Sequence, residues 1–407
     1  MDAPTNGHDS LFILTAARGT ERWAAEEATQ QGASSVDLMP GAVQVRGSLA
    51  VAYRLCLWSR VAHRVLLPLY TGPAADAAAL YDTARAVHWH DHLHPRSTFA
   101  VEASGPGNAA LRHSHFVAQK VKDAIADHFR AHHGTRPSVN PRQPDVVIHV
   151  HVQGNEATLA IDLSGTPLYQ RGYRQRGGRA PLKETLAAAL LYEAHWPERA
   201  ALGEPLLDPF CGAGTIPIEA AWMALGVAPG LLRPRFGFFA WGGHDADLWQ
   251  RLCREALEQR GASRDGLFVY ASDCDPRALH AARQHAERAG VGHAVHFEVA
   301  RAEWRRPPTA HPGLIVTNPP YGERLSDGAI TELYARFGDN LRRRFLGWTA
   351  WILTANAAAA KIVGLKSKRR LPLWNGPLEC RLLCFPISTT PPQSPRPPAW
   401  RARPSER

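Results

Sequence analysis

The order of apolar and polar positions divides the chain into two kinds of segment. In the first 170 residues, short strands and amphipathic helices follow one another without a fixed rhythm. The run LFILT (11–15) predicts a strand, and Trp23, Ala24, Glu27 and Ala28 recur at helical spacing just after it. VDLMPGAVQVRG reads as two strands about the Pro40-Gly41 turn, and residues 49–57 read as another helix. This β-α-β-β-α order predicts a small ferredoxin-like unit over 1–70. A second α+β unit is expected over 71–168, with helices at 74–86 and 114–133 and strands at 98–104, 145–152 and 158–163. The alternation in VVIHVHV marks a half-buried strand.

From residue 205 the rhythm changes. Strands at 206–208, 267–273, 295–299, 314–318, 349–355 and 382–387 are separated mainly by helices at 215–225, 276–289 and 330–345, with a further helix at 183–192 leading in. Strands alternating with helices of ten or more residues predict a parallel, doubly wound α/β sheet over 169–388. The last stretch, 389–407, is rich in Pro and Arg and too poor in apolar residues to pack, so disorder is expected there.

Composition narrows the class. The 407 residues are 45% hydrophobic and 21% charged, the balance of a folded protein. No apolar run approaches the roughly 18 residues of a membrane span, and the first ten residues lack the basic and apolar regions of a secretory signal. None of the six cysteines forms a CxxC pair, which predicts reduced thiols and a cytoplasmic location. The net charge of +10 is unevenly spread: residues 1–170 carry 14 Lys/Arg against 15 Asp/Glu, residues 171–407 carry 33 against 22. A basic second part suits a polyanionic partner.

Three strings in that part carry chemistry. DPFCGAGT (208–215) follows a strand and opens a helix. Gly212 and Gly214 let backbone N–H groups approach a ligand, while Asp208 ahead of them repels a pyrophosphate and attracts an ammonium or sulfonium group. The string is neither a P-loop nor a GxGxxG fingerprint. VYASDCDP places Asp273 at a strand end, where a carboxylate accepts from a ribose diol, and Asp275 at a helix N-cap. In NPPYGERL, the two prolines hold the Asn318 side chain and the Pro319 carbonyl as rigid acceptors, and Tyr321 offers a face to a planar base. Two acceptors aimed at an exocyclic NH₂ suit amine methylation by positioning rather than by base catalysis.

In that order and spacing, these strings resemble the class I S-adenosylmethionine-dependent amino-methyltransferases. RGYRQRGGRAPLKETLAAALL, LYARFGDNLRRRF, WILTAN and NGPLECRL are similar to the bacterial THUMP-domain 23S rRNA guanine-N2 methyltransferase family, and KVKDAIADHF, RPSVNPRQPDVVIHV and LAIDLSG resemble a THUMP domain. The resemblance covers about residues 10–388. It implies a ferredoxin-like unit, a THUMP-like RNA-binding domain and a Rossmann-like methyltransferase domain, with S-adenosyl-L-methionine as cofactor and structured RNA as substrate. It implies that Asp208, Gly212, Gly214 and Asp273 line the cofactor and that Asn318, Pro319, Pro320 and Tyr321 hold the target base. Where the family usually carries an Asp toward the cofactor adenine, this chain has Arg301, and the contact is expected from Glu303 or from a backbone carbonyl in its place. Arg171, Arg174, Lys366, Lys368 and Arg369 are expected at RNA phosphates. Local chemistry alone leaves open a tRNA guanine-N2 enzyme, an adenine-N6 DNA methyltransferase and a silent RNA-binding protein. His88, His90, His92 and His94 alternate, but no partner with ligand spacing accompanies them, and no metal is expected.

Overall fold

The computed structural model describes residues 9–174, 182–261, 268–321 and 327–390. The QRGGR part of the basic run, the GERL part of the third string and nearly all of the Pro/Arg tail lie outside them. The chain forms two compact units. One comprises Met1–Ala16, Glu21–Gln170 and Pro229–Ala256, the other Ala17–Thr20, Arg171–Ala228 and Leu257–Arg407.

The first unit is built on β1 (Ser10–Thr15), α1 (Glu21–Gln30), β2 (Ser35–Met39), β3 (Ala42–Gly47), α2 (Leu49–Trp58), β4 (Arg64–Pro73), α3 (Ala77–Arg85), β5 (Thr98–Gly107), α4 (Ser114–His133), β6 (Ser138–Val139), β7 (Val146–Gln153) and β8 (Glu156–Asp162). All eight strands share one sheet in the order β2-β3-β1-β4-β8-β7-β5-β6. The ferredoxin-like and THUMP-like stretches are joined through β4. Its first residues, Arg64 to Leu66, pair with Thr15 to Ile13 of β1. From Leu66 to Pro73 it pairs with β8, across an irregularity between Pro68 and Tyr70. Proline has no N–H for a ladder, and a bulge is where a strand tolerates it. Asp76 caps α3 by accepting from the N–H of Ala78 and Ala79, each at 2.9 Å.

Pro229–Ala256 belongs to this unit although the sequence reading runs the catalytic stretch through it. Arg233, 7% exposed, anchors the segment. Its guanidinium donates to the carbonyls of Ser164, Thr166, Pro167 and Gln170 at 2.8–3.1 Å. Trp241 Nε1 donates to His92 Nδ1 at 3.0 Å. His92 is thus a buried partner of an indole, and burial lowers its pKa to about 4. Its neighbour His90 stacks instead on His128, 5.6 Å between ring centres.

The second unit contains α5 (Glu184–Glu193), α6 (Trp196–Ala201), β9 (Leu206–Asp208), α7 (Thr215–Ala224), then, past the segment just described and its helix α8 (Ala246–Glu258), β10 (Val269–Asp273), α9 (Pro276–Arg288), β11 (Val295–Val299), β12 (Leu314–Thr317), α10 (Asp327–Arg344), β13 (Thr349–Thr354), α11 (Ala357–Ile362), β14 (Arg369–Asn375) and β15 (Leu378–Pro386). The sheet order is β11-β10-β9-β12-β13-β15-β14; β9 to β13 run parallel and β15 is antiparallel to both neighbours.

Both faces of the central strands are buried, which is why β9, β12 and β13 read as unbroken apolar runs. Leu206, Leu314, Val316, Trp351 and Leu353 join one core with Leu186 and Leu190 of α5 and Trp222 of α7. Leu207, Ile315, Ala350 and Ile352 join another with Phe337 and Leu341 of α10. Sheet order reverses direction between β9 and β12, so the crevice for a ligand opens beyond the carboxyl ends of these strands. Asp208, Asp273 and Asn318 all stand at such ends.

Candidate active site

Asp208 ends β9 and is 1% exposed. Its Oδ1 accepts the Thr317 hydroxyl at 2.6 Å and the Phe210 N–H at 3.1 Å. Burial raises its pKa to about 7; these two hydrogen bonds oppose the rise, and the nearby charge of Asp273 adds to it. The carboxyl ties the ends of β9 and β12 together and is poised to ionise fully beside a cation. Thr317 was missed in the sequence. The signal was the register: Leu207 lies opposite Ile315, so Asp208, one residue further on, and Thr317, two further on, meet at the carboxyl ends of the paired strands.

Asp273 ends β10. Its Oδ2 accepts the Gly212 N–H and its Oδ1 the Asp275 N–H, both at 2.9 Å. A carboxylate has about four acceptor sites, so two remain for a diol. Asp275 caps α9, accepting from Arg277 N–H at 2.9 Å, with Pro276 in the first turn.

The two glycines of the loop serve different needs. Gly212 has φ +50°, and a Cβ there would meet no atom within 4 Å, so the space on that side of the backbone is open. Gly214 has φ +86°, and a Cβ would press to 3.1 Å from Ala282 of α9, so this glycine allows the helices to close up. His285 Nδ1 lies 3.0 Å from the Ala213 carbonyl and braces the loop from behind. Cys211 is buried, its thiol pushed well above its ordinary pKa by burial, which suits a packing residue and not a nucleophile.

Asn318 follows β12. Its Oδ1 is buried and has no hydrogen-bond partner among the described residues. An unpaired buried acceptor costs about 1–3 kcal/mol, a cost that an incoming N–H donor removes. Pro319 is buried, Pro320 is half-buried, and the Tyr321 hydroxyl accepts from Asn375 Nδ2 of β14 at 3.1 Å, a partner the sequence did not announce. The rest of that string lies outside the described residues.

Glu303 lies in the turn after β11, its side chain 10% exposed and its Oε1 3.8 Å from Arg301 Nε. Arg171 and Arg174, expected at phosphates, are put to a different use. Arg171 is 2% exposed and its Nε donates to Glu219 of α7 at 3.2 Å. Arg174 pairs with Glu184 and donates to the Thr215 hydroxyl at 2.5 Å and the Leu182 carbonyl at 3.2 Å. The reason is charge compensation inside the domain: each guanidinium meets a buried carboxylate and secures the first turns of the helix behind the glycine loop. Lys366 and Lys368 are exposed; Arg369 is half-buried, 3.8 Å from Glu193.

The doubly wound sheet, the strand-end acids, the glycine loop and the unpaired Asn318 define a Rossmann-like domain of the methyltransferase class. Residues 171–383 match the RMKL-like methyltransferase domain model, and the chain belongs to that family. Residues 74–162 match a THUMP domain and 11–66 the RlmL ferredoxin-like domain. A ribosomal RNA large subunit methyltransferase K/L of Methylococcus capsulatus is 45% identical over 379 residues, 93% of this chain and 51% of the relative. The chain thus spans about half the length of the curated relatives it matches. Among solved structures, SMU.472, described as a methyltransferase and solved with SAH, is 28% identical with a TM-score of 0.83, covering 94% of this chain and 99% of that one. A Listeria monocytogenes protein described as an N6-adenine-specific DNA methylase is 29% identical with a TM-score of 0.81, covering 93% and 97%. Among the described residues no helix is long and apolar enough to cross a membrane.

Proposed function

We propose that this chain transfers a methyl group from S-adenosyl-L-methionine to the exocyclic N2 of a guanine in structured RNA, 23S rRNA being the substrate, in the cytoplasm. The observation that carries the reading is the buried, unpartnered Asn318 Oδ1 at the end of β12, one residue beyond the Thr317–Asp208 hydrogen bond. The residues fit the cofactor: an open cradle over Gly212, a carboxylate at Asp273 with free acceptor capacity, and a buried acid at Asp208 for a cationic group.

The cofactor supplies an electrophilic methyl on a sulfonium. The chain supplies position. The lone pair of an exocyclic amine is delocalised into its ring, so the amine is a weak nucleophile. Asn318 Oδ1 and the Pro319 carbonyl each accept one N–H and favour the lone pair turning out of the ring plane. Tyr321 stacks the base, which must first leave its helix to be reached. The THUMP match and the name of the K/L relatives support an RNA substrate, and exposed Lys366 and Lys368, with Arg369, suit its phosphates.

The test is incubation of the full chain with unmodified 23S rRNA and cofactor, followed by digestion and mass spectrometry. N2-methylguanosine is expected. Asn318→Ala should lower turnover by about 100-fold or more with cofactor affinity near normal, because the side chain acts on the base. N6-methyladenosine as the product would overturn the substrate and keep the mechanism. A methylated base carbon would overturn both.

A further inference from the structure

The turn after β11 combines a fixed backbone with an exposed aromatic side chain. Trp304 and Arg305 N–H both donate to the Arg301 carbonyl, at 3.0 and 2.9 Å. Asn340 of α10, itself 5% exposed, clamps the turn from beneath through the Ala302 and Arg305 carbonyls at 2.9 and 2.8 Å. Ala302 points into the core at 3% exposure, yet Trp304 is 59% exposed. In the same unit Trp196, Trp222, Trp348 and Trp351 are all at 4% or less, so an indole left in water on a rigid base stands out. An aromatic ring ordered in advance loses little entropy when something stacks on it.

The surroundings say what that something is. The Arg301 guanidinium lies 5.7 Å from the indole centre with its side chain 58% exposed. Arg306 is exposed, as are Arg343 and Arg344 in the last turn of α10. Arg344 reaches the Trp304 carbonyl at 3.3 Å, which brings that helix end to the turn. The acids nearby are taken: Glu303 by Arg301, Glu298 by Arg305 at 2.8 Å. A π-face flanked by wet guanidinium groups is the chemistry that holds single-stranded nucleic acid, because every base has a face to stack and every link a phosphate. The turn also stands at the carboxyl edge of the sheet, as Asn318 does. Three strand spacings separate β11 from β12 in the sheet order, roughly 14 Å at about 4.8 Å each.

We propose that Trp304, with Arg301 beside it, stacks a nucleobase of the single-stranded RNA flanking the target guanine, while Arg306, Arg343 and Arg344 bind the adjoining phosphates. This rests on the RNA methyltransferase reading above and gives it a second contact. A base that leaves a helix unstacks its neighbours, and the indole replaces one lost stacking partner.

The test uses the full chain with Trp304→Ala, Trp304→Phe and the double variant Arg343→Gln/Arg344→Gln. Binding of unmodified 23S rRNA transcript is measured across salt, SAH affinity by calorimetry, and melting temperature alongside. Trp304→Ala should weaken RNA binding about 5- to 150-fold, and Trp304→Phe should restore most of it. The arginine pair should flatten the salt slope by about 1.4. SAH affinity and melting temperature should stay unchanged in all three. Unchanged RNA binding in Trp304→Ala overturns the proposal. So does a loss of SAH affinity, which would make the indole a cover for the cofactor, or a drop in melting temperature, which would make it structural. A wild-type chain that binds no rRNA transcript fails the functional reading itself, and this inference with it.

Discussion

Asp208 shows how one buried side chain sets stability against binding. Its carboxyl sits among apolar strand residues and holds its proton up to about pH 7, far above an unfolded aspartate near 3.8. The folded state therefore binds the proton that the unfolded state releases between about pH 4 and 7, and stability falls as pH rises through that window. Asp208→Asn keeps the oxygen that accepts from Thr317 and Phe210 but never ionises. Its melting temperature should match the parent below about pH 4, exceed it increasingly between about pH 4 and 7, and stop gaining above about 7. Cofactor affinity should fall, since an uncharged amide no longer attracts the ammonium end of the ligand. Thermal melts across pH with calorimetry check both halves; parallel melting curves would show that Asp208 does not titrate here.

At the level of elements, α7 is held by charges from the segment that precedes α5. Removing Arg171 takes a cationic hydrogen-bond donor from Glu219, which is 0% exposed, and breaking a buried pair of this kind costs about 3–5 kcal/mol. Arg171→Ala should unfold at markedly lower denaturant while leaving the salt slope of RNA binding alone. Lys366→Gln/Lys368→Gln should do the reverse, keeping stability and flattening the slope by about 1.4–1.8. Swapped outcomes would restore Arg171 to the RNA surface. The two roles were not separable in the sequence because the partner carboxylate lies 48 residues away. Legibility followed locality. The helix 114–133 was readable to its ends from its period and length, β10 and β12 from dense apolar runs between turn signals, and β11 from its alternation. Asp275 was readable as a cap, and Asn318 through the prolines beside it. The strand β4 was not, since Pro68 and a bulge interrupt its pattern, and β14 begins on two arginines and contains Pro372. The Thr317–Asp208 bond joins residues 109 apart and becomes visible only with the register of the sheet.

Across the whole molecule, the boundaries of packing differ from the boundaries of sequence similarity. The family match begins at residue 171, yet Pro229–Ala256 packs with the unit made by the first 170 residues, and Ala17–Thr20 packs with the second. In the second unit Arg18 lies over Trp374, 5.4 Å from its ring centre. A fragment of residues 171–388 therefore carries α8 without the unit that buries Leu248, Leu252 and Ala256. It should bind a hydrophobic dye and aggregate, and light scattering against the full chain measures that. A monomeric, cofactor-binding fragment would show that the second unit stands without the first.

The strap held by Arg233 has a consequence for how the protein is made. A nascent chain leaves the ribosome from its N-terminus, and all eight strands of the first sheet are out once Asp162 has emerged. Arg233, whose guanidinium closes the carbonyls of residues 164–170, is not yet synthesised at that moment. At about 5–20 residues per second, the stretch from Arg171 to Ala256 takes roughly 4–17 s more. For that interval the first sheet waits, assembled but unfastened, while the opening strand and helices of its neighbour are already emerging.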